Sequence, residues 1–378
     1  MELSEIRKEI DVIDDRMLEL FLQRMSLVEE IADYKNERNM PIINRGRERE
    51  ILSKVAKQAG NRERYAYHLF TTLFQLAKAR QAELLSAPSK VGATIKTALD
   101  AGAAVFPKTG LVACQGVEGA NSQTACDRLF PRGELRYVNT FDDVVRAVEE
   151  GECQFGVLPI ENSSNGSVRA AYDLLQKHSL SVVRSVRLCI RHELLVLPGT
   201  RLEDIREIYS HEQAIGQCSR FLRGLEGVKV IPCGNTAMAA QKVAQSGDPG
   251  IAAISSHPCA QLYGLECVKD DIQNSDNNYT RFFCVAKNPA IYAGANRISL
   301  IVGCDNRPGA LYEILSKFSA LGINLTKLES CPVTGRNFEF VFFMEIEASV
   351  LEEGVLGMLE ELERECVSLH FLGNYAEI

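Results

Sequence analysis

The stretch Asn278-Tyr279-Thr280-Arg281-Phe282 ends a polar loop that starts at Asn274 and opens the apolar run Phe282-Phe283-Cys284-Val285-Ala286. That junction aims a hydroxyl and a guanidinium at whatever the loop encloses. Three further polar stretches follow or precede apolar runs, where open α/β sheets bind ligands. The first, Gln115 to Ser122, has two glycines for close backbone approach and a serine near a helix start, which suits a carboxylate. It is not G-x-G-x-x-G, so no nicotinamide cofactor is indicated. The second, Pro159 to Ser167, is a dense cluster containing Glu161, Asn162 and Ser163. The third, Ser210 to Cys218, puts Gln213 and Gln217 one helical turn apart.

A second set of polar groups lies near the N-terminus on helical stripes. Arg24 and Lys35 fall about three turns apart on one face, whereas Arg7 is turned roughly 100° away. One chain struggles to point all three at a single ligand; a dimer can supply Arg7 from the partner. Arg47 and Glu48 open a second helical segment. Gln81 shares a stripe with Phe70, Phe74 and Ala77, which puts an amide on an apolar face, and a buried amide needs partners.

The elements that must position these groups follow from periodicity. Leu3, Ile6, Ile10, Ile13, Met17, Leu20, Leu27 and Ile31 form a helical stripe from Leu3 to Tyr34, with Ser4 as N-cap and no Gly or Pro before Pro41. Such a helix is roughly 45 Å long, too long for a segment ending near residue 87 to cover alone. With helices over Arg47 to Gln58 and Arg64 to Leu85, the economical arrangement is an intertwined all-α dimer. Residues 88–107 read as a linker with a helix from Val91 to Ala101 between Pro88 and Pro107. From 108 to 288, short apolar runs alternate with amphipathic stretches, as in an α/β domain. From 294 to 378 the order is β-α-β-β-α-β, a ferredoxin-like α+β unit.

Composition agrees with a folded multi-domain chain: 378 residues, 46% hydrophobic and 24% charged. A net charge of −8 without a dense basic cluster argues against nucleic acid or an anionic membrane as partner. The start is a charged helix rather than a signal peptide, and no apolar run is long enough to span a bilayer, so a cytoplasmic protein is expected. The twelve cysteines, scattered singly without C-x-x-C, read as reduced core residues rather than disulfides or metal ligands.

Three resemblances add to this reading. Arg7, Arg24, Lys35, Arg47, Glu48 and Gln81 in three helices resemble the all-helical, dimeric chorismate mutases, with Asn44 where an Asp is often found. The resemblance implies that the arginines bind the two carboxylates of chorismate, Glu48 its hydroxyl, and Lys35 and Gln81 the ether oxygen. A Claisen rearrangement needs only a compacted substrate and donors aimed at that oxygen. The four polar stretches from 115 to 282, in order, resemble the prephenate dehydratases, whose fold has two lobes like periplasmic binding proteins. That implies Thr280 as the catalytic donor to the departing ring hydroxyl, with Asn162, Ser163, Ser210, Gln213, Gln217, Arg281 and Phe282 shaping the site. Asn274 departs from the usual Asp. Gly309-Ala310-Leu311, Asn324 and Glu329-Ser330-Cys331-Pro332 resemble a phenylalanine-binding ACT domain, with Cys331 where an Arg is usual. Effector contacts by Gly309, Ala310, Leu311, Asn324, Glu329 and Ser330 are implied. Together these imply a bifunctional chorismate mutase/prephenate dehydratase without metal or organic cofactor, a homodimer or homotetramer that is feedback-regulated by phenylalanine. Two alternatives stay open: a monofunctional dehydratase with a relic mutase domain, and a non-catalytic aromatic amino-acid sensor.

Overall fold

The computed structural model describes residues 2–38, 40, 44–85, 89–101, 105–332 and 340–378. Pro41 and Pro88, which bound the expected helices, lie outside them. The chain divides into two compact units, Met1–Ala93 with Leu356–Cys366, and Thr94–Val355 with Val367–Ile378.

The helical unit follows the apolar stripes. Helix α1 (Leu3–Glu37) is unbroken, but its N-cap is Glu2 rather than Ser4. The Glu2 backbone N–H donates to the Glu5 carboxylate at 2.9 Å, so Ser4 already lies within the first turn. Asn44 caps α2 (Arg45–Ala59) by accepting from the Arg47 N–H at 3.1 Å, and Gly60 ends it at φ 54°. Helix α3 (Glu63–Leu84) packs on both. Within α1 only Val28 and Ala32 are buried; Leu3, Ile6, Ile10, Ile13, Met17 and Leu20 keep 40–61% of their surface exposed. The N-terminal part of the apolar stripe thus stays largely exposed among the described residues. Helix α4 (Lys90–Ala101) follows.

The larger unit begins with β1 (Leu111–Gln115), α5 (Asn121–Leu129), β2 (Glu134–Val138), α6 (Phe141–Glu149), β3 (Phe155–Asn162), the short β4 (Gly166–Ser167), α7 (Arg169–Lys177) and β5 (Ser181–Cys189). The chain then crosses to a second lobe: β6 (Glu193–Val196), β7 (Glu207–Ser210), α8 (Glu212–Gln217), α9 (Ser219–Arg223), β8 (Lys229–Pro232), α10 (Thr236–Ser246), β9 (Ile251–Ser255), α11 (His257–Tyr263) and β10 (Glu266–Lys269). It returns as β11 (Tyr279–Ala286).

The first sheet has the order β2-β1-β3-β11-β5, with β11 antiparallel to both neighbours; the second has the order β10-β6-β9-β7-β8. Strand β11 is therefore the return of a double crossover inserted between the strands of the first lobe. The outgoing and returning connections run side by side, tied where the Ile190 N–H donates to the Asn278 carbonyl at 2.7 Å and the Ile272 N–H to the His192 carbonyl at 3.0 Å.

The chain continues as β12 (Arg297–Gly303), α12 (Ala310–Ala320), β13 (Asn324–Pro332), β14 (Phe340–Glu347), α13 (Val355–Glu365) and β15 (Ser368–Tyr375). This is the expected ferredoxin-like order, with sheet order β13-β14-β12-β15. The sheet does not stand apart from the first lobe. Ile301, Phe343, Leu372 and Tyr375 share one apolar core with Val144, Leu158, Tyr172 and Phe283. Beyond β15, Ser185 and Arg187 of β5 donate backbone N–H groups to the Ala376 and Ile378 carbonyls, each at 3.0 Å, so the last residues extend the first sheet.

Candidate active sites

Between the two lobes lies a cleft of about 570 Å³ lined by Ser164, Asn165, His211, Gln213, Gln217 and Asn278, among others. Its polar framework is anchored on backbone. The Asn162 side-chain carbonyl accepts from the N–H groups of Ser164 (3.0 Å) and Asn165 (3.1 Å), which fixes the sense of this amide. Its Nδ2 then donates to Thr280 Oγ1 at 2.9 Å and to Asn278 Oδ1 at 3.0 Å. Thr280 accepts that bond, and its own proton has no acceptor among the described residues. The hydroxyl is left as a donor.

Asn278 is 2% exposed and forms a reciprocal amide pair with Gln217: its Nδ2 donates to Gln217 Oε1 at 3.0 Å, and Gln217 Nε2 donates back at 3.4 Å. Gln213 and Gln217, on α8, both reach the cleft. Asn274 ties α8 to α9. It accepts from the Arg220 N–H at 3.0 Å and donates to the Gly216 carbonyl at 3.1 Å and Ser219 Oγ at 3.0 Å. An Asp there would lose both donor bonds.

Two residues expected at the cleft face elsewhere. Successive side chains of a strand point to opposite faces, so with Thr280 turned to Asn162, Arg281 turns away. Arg281 is 7% exposed; its guanidinium pairs with Glu345 at 2.8 Å and with Glu377, and donates to Ser185 Oγ at 3.0 Å. Burial pulls the Arg281 pKa down, but Tyr375, Glu345 and Glu377 outweigh it and hold it above its ordinary value. Phe282 is 2% exposed in the apolar core with Val186 and Cys284. The register between β11 and β3 shifts between Arg281 and Phe282, so simple alternation ends there. Arg281 is therefore placed in a buried ion-pair cluster and Phe282 in the apolar core.

Two serines are spent on backbone. Ser163 Oγ donates to the Asn277 carbonyl and accepts from the Tyr279 N–H, both at 2.8 Å. Ser210, fully buried, donates to the Ile254 carbonyl at 2.7 Å and keeps only acceptor capacity. Sequence reasoning missed Asn278 as the hub, although it begins the motif, and missed His192 entirely. His192 is 3% exposed and its Nε2 lies 2.8 Å from Gln217 Oε1. The signal was an imidazole two residues ahead of the apolar run Leu194-Leu195-Val196.

In the helical unit, α1 and α3 bring Lys35 and Gln81 together. Lys35 Nζ donates to Gln81 Oε1 at 3.0 Å, and Gln81, 6% exposed, donates to the Ala77 carbonyl at 3.2 Å. Arg24 donates to the Leu73 carbonyl at 3.0 Å and stands 5.8 Å from the centre of the Phe74 ring. Burial lowers the Arg24 pKa; it lowers that of Lys35 too, against the opposing charge of Glu48. Glu48 is 3.6 Å from Lys78. The other expected residues stand apart. Arg7 is exposed near the start of α1, Arg47 pairs with Glu50 at 2.7 Å on the surface, and Asn44 serves as the α2 cap.

In the ferredoxin-like part, Gly309 takes a left-handed φ of 86° at the start of α12, with Ala310 buried behind it and Leu311 partly buried. Asn324 donates to Glu347 at 2.9 Å, and Ser330 is on the exposed side of β13. Glu329 is turned to the β3–β4 hairpin, where it is bonded to Ser167 and lies 3.6 Å from Lys327. Lys327 in turn reaches Glu161 at 2.9 Å. Cys331 faces inward and packs on the apolar core. Burial raises its thiol pKa, so it acts as a small apolar group.

Three family models match the chain: Chorismate mutase type II over residues 6–82, Prephenate dehydratase over 112–290, and ACT domain over 298–364. A bifunctional chorismate mutase/prephenate dehydratase of Aquifex aeolicus is 32% identical over 383 residues, covering 99% of this chain and 98% of that protein. Arogenate dehydratase/prephenate dehydratase 2 of Arabidopsis thaliana is 38% identical over 276 residues, 70% of this chain and 72% of that protein. Two solved structures each superpose with a TM-score of 0.65. A quorum quenching acylase, GqqA, is 30% identical over 71% of this chain and 98% of its own. A prephenate dehydratase from Arthrobacter aurescens in complex with L-Phe is 28% identical over 70% of this chain and 89% of its own.

Proposed function

The chain belongs to the bifunctional chorismate mutase/prephenate dehydratase family and carries both activities, and from that premise we propose how its residues divide the work. Chorismate is rearranged to prephenate in the helical unit. Prephenate is converted to phenylpyruvate in the interlobe cleft, and phenylalanine regulates through the ACT domain.

The observation that carries the dehydratase assignment is the direction of one hydrogen bond: Asn162 donates to Thr280. Thr280 therefore offers its proton to the departing ring hydroxyl. As the carbon–carbon bond to the ring carboxylate breaks, its electron pair enters the ring and the hydroxyl leaves as water, yielding carbon dioxide and an aromatic ring. A threonine hydroxyl is a weak acid, so its part is that of a positioned donor while aromatisation supplies the driving force. The lining supports this division: among the described residues around the cleft none is Lys or Arg. A guanidinium clamped on the leaving carboxylate would stabilise the charge that must disappear; neutral donors stabilise the ground state less.

For the mutase, Lys35 and Gln81 are the donors at the ether oxygen that gains negative charge. Arg24 meets one carboxylate and Glu48 the hydroxyl. The exposed apolar stripe of α1 supports a homodimer in which the partner helix covers it and brings Arg7 to the site. The test is a time course on chorismate alone. Phenylpyruvate appearing without added enzyme carries both activities; accumulated prephenate removes the dehydratase, and untouched chorismate that coexists with prephenate turnover leaves a relic mutase domain.

A further inference from the structure

The amide chain that ends at Thr280 has a second end. Its sense can be followed residue by residue from the backbone anchor. Two backbone N–H groups hold the Asn162 side-chain carbonyl, so Asn162 Nδ2 must donate to Asn278 Oδ1. Asn278 Nδ2 then donates to Gln217 Oε1. That oxygen is an acceptor, so His192 Nε2, 2.8 Å away, must carry the proton that completes the bond. Burial pushes the His192 pKa below its ordinary value and outweighs the bond to Gln217, so at neutral pH the ring is the uncharged Nε2–H tautomer. Its backbone is fixed as well: the His192 N–H donates to Gln273 Oε1 at 3.0 Å and its carbonyl accepts from Ile272 at 3.0 Å.

We propose that His192 is a positioning residue for the dehydratase: its Nε2–H pins the carbonyl of Gln217, which holds the Gln217–Asn278 amide pair, and through Asn278 the Asn162 amide bonded to Thr280, in one arrangement. His192 sits on the outgoing crossover and Asn278 on the returning one, so the chain also fastens the two connections between the lobes. This rests on the dehydratase reading of the cleft.

The experiment compares His192→Met, which removes the donor at similar bulk, with His192→Gln, whose amide nitrogen can reach the position of Nε2. Losing a buried hydrogen-bond partner next to the reacting groups predicts that His192→Met lowers dehydratase kcat about tenfold or more, with KM shifted less, while His192→Gln recovers to within about threefold of the parent. Mutase turnover in the same chain stays at the parental value. A His192→Met protein with parental kcat overturns the proposal, and so does a His192→Gln protein as slow as the Met variant, which would make the role one of packing. Nitrogen NMR of the histidine-labelled wild type decides independently of any variant's folding: the Nε2–H tautomer supports the pin and the Nδ1–H tautomer overturns it. Wild-type protein that leaves prephenate unchanged would instead overturn the functional reading, while the tautomer still decides the pin.

Discussion

Asn162 has two donor and two acceptor positions, and the structure uses all of them. This makes Asn162→Asp an informative change. The carboxylate keeps the backbone bonds but presents an oxygen to Thr280, which would then give its proton to Asp rather than to the leaving hydroxyl. Loss of a positioned proton donor costs about 10²-fold or more in kcat; a steady-state assay on prephenate checks this, with mutase turnover unchanged. In the helical unit, Gln81→Ala removes the acceptor that holds Lys35. It is expected to lower mutase kcat by about 10²-fold, as for loss of one preorganised donor at a developing oxyanion, and to leave dehydratase turnover intact. Lys35 also sets a pH limit. Its pKa is lowered by burial, so its charge is lost as pH rises through a value below the usual lysine range near about 10.4. Mutase turnover should therefore fall on the alkaline side of its profile, and Lys35→Arg should move that fall to higher pH.

Strand β11 carries two tasks on its two faces. Thr280 is bonded to Asn162, which joins the amide cluster at the cleft, while the next residue, Arg281, is buried with Glu345 of β14, Glu377 and Tyr375. Removing one partner of a buried ion pair leaves the other charge uncompensated, which costs about 3–5 kcal/mol. Arg281→Met should lower the denaturation midpoint of the larger unit accordingly, as urea titration followed by tyrosine fluorescence would measure. Arg281→Lys should recover only part, because an ammonium cannot reproduce the fork of donors. Acid should act at the same place. Burial raises the Glu345 pKa, but Arg281 outweighs it and holds it below the ordinary carboxylate value. The contribution of Glu345 to stability is thus fully present above about pH 4.3 and is lost as pH falls through the depressed value.

At the scale of the molecule, the proposed homodimer rests on the exposed stripe of α1. Ile10 and Ile13 are 48% and 57% exposed within their own chain. Each isoleucine buried in a dimer contributes about 1.5–3 kcal/mol, so Ile10→Asp with Ile13→Asp should weaken association by at least about 100-fold. Sedimentation should show the smaller species. Mutase turnover should fall with it, since Arg7 of one chain then no longer reaches the site of the other, while dehydratase turnover persists. A dimer that survives the double change with full mutase activity would rule out α1 as the contact.

The sequence alone determined the helices of the N-terminal unit, the α/β and ferredoxin-like orders, and the polar loops of the cleft. Periodicity and polar clustering are local properties, and local sequence carries them. It did not disclose β5: the order Val-Val-Arg-Ser-Val-Arg-Leu breaks alternation, because Arg184 is stacked 5.2 Å from the centre of the Phe106 ring. Nor did it distinguish the surroundings of Thr280 from those of Arg281, since a motif names neighbours while strand pleat sends them to opposite faces. His192 and Asn278 meet through Gln217 only because the chain crosses between lobes twice and the crossings lie side by side. Pairing across 86 positions, from 192 to 278, is a property of topology, and only the tertiary structure decided it.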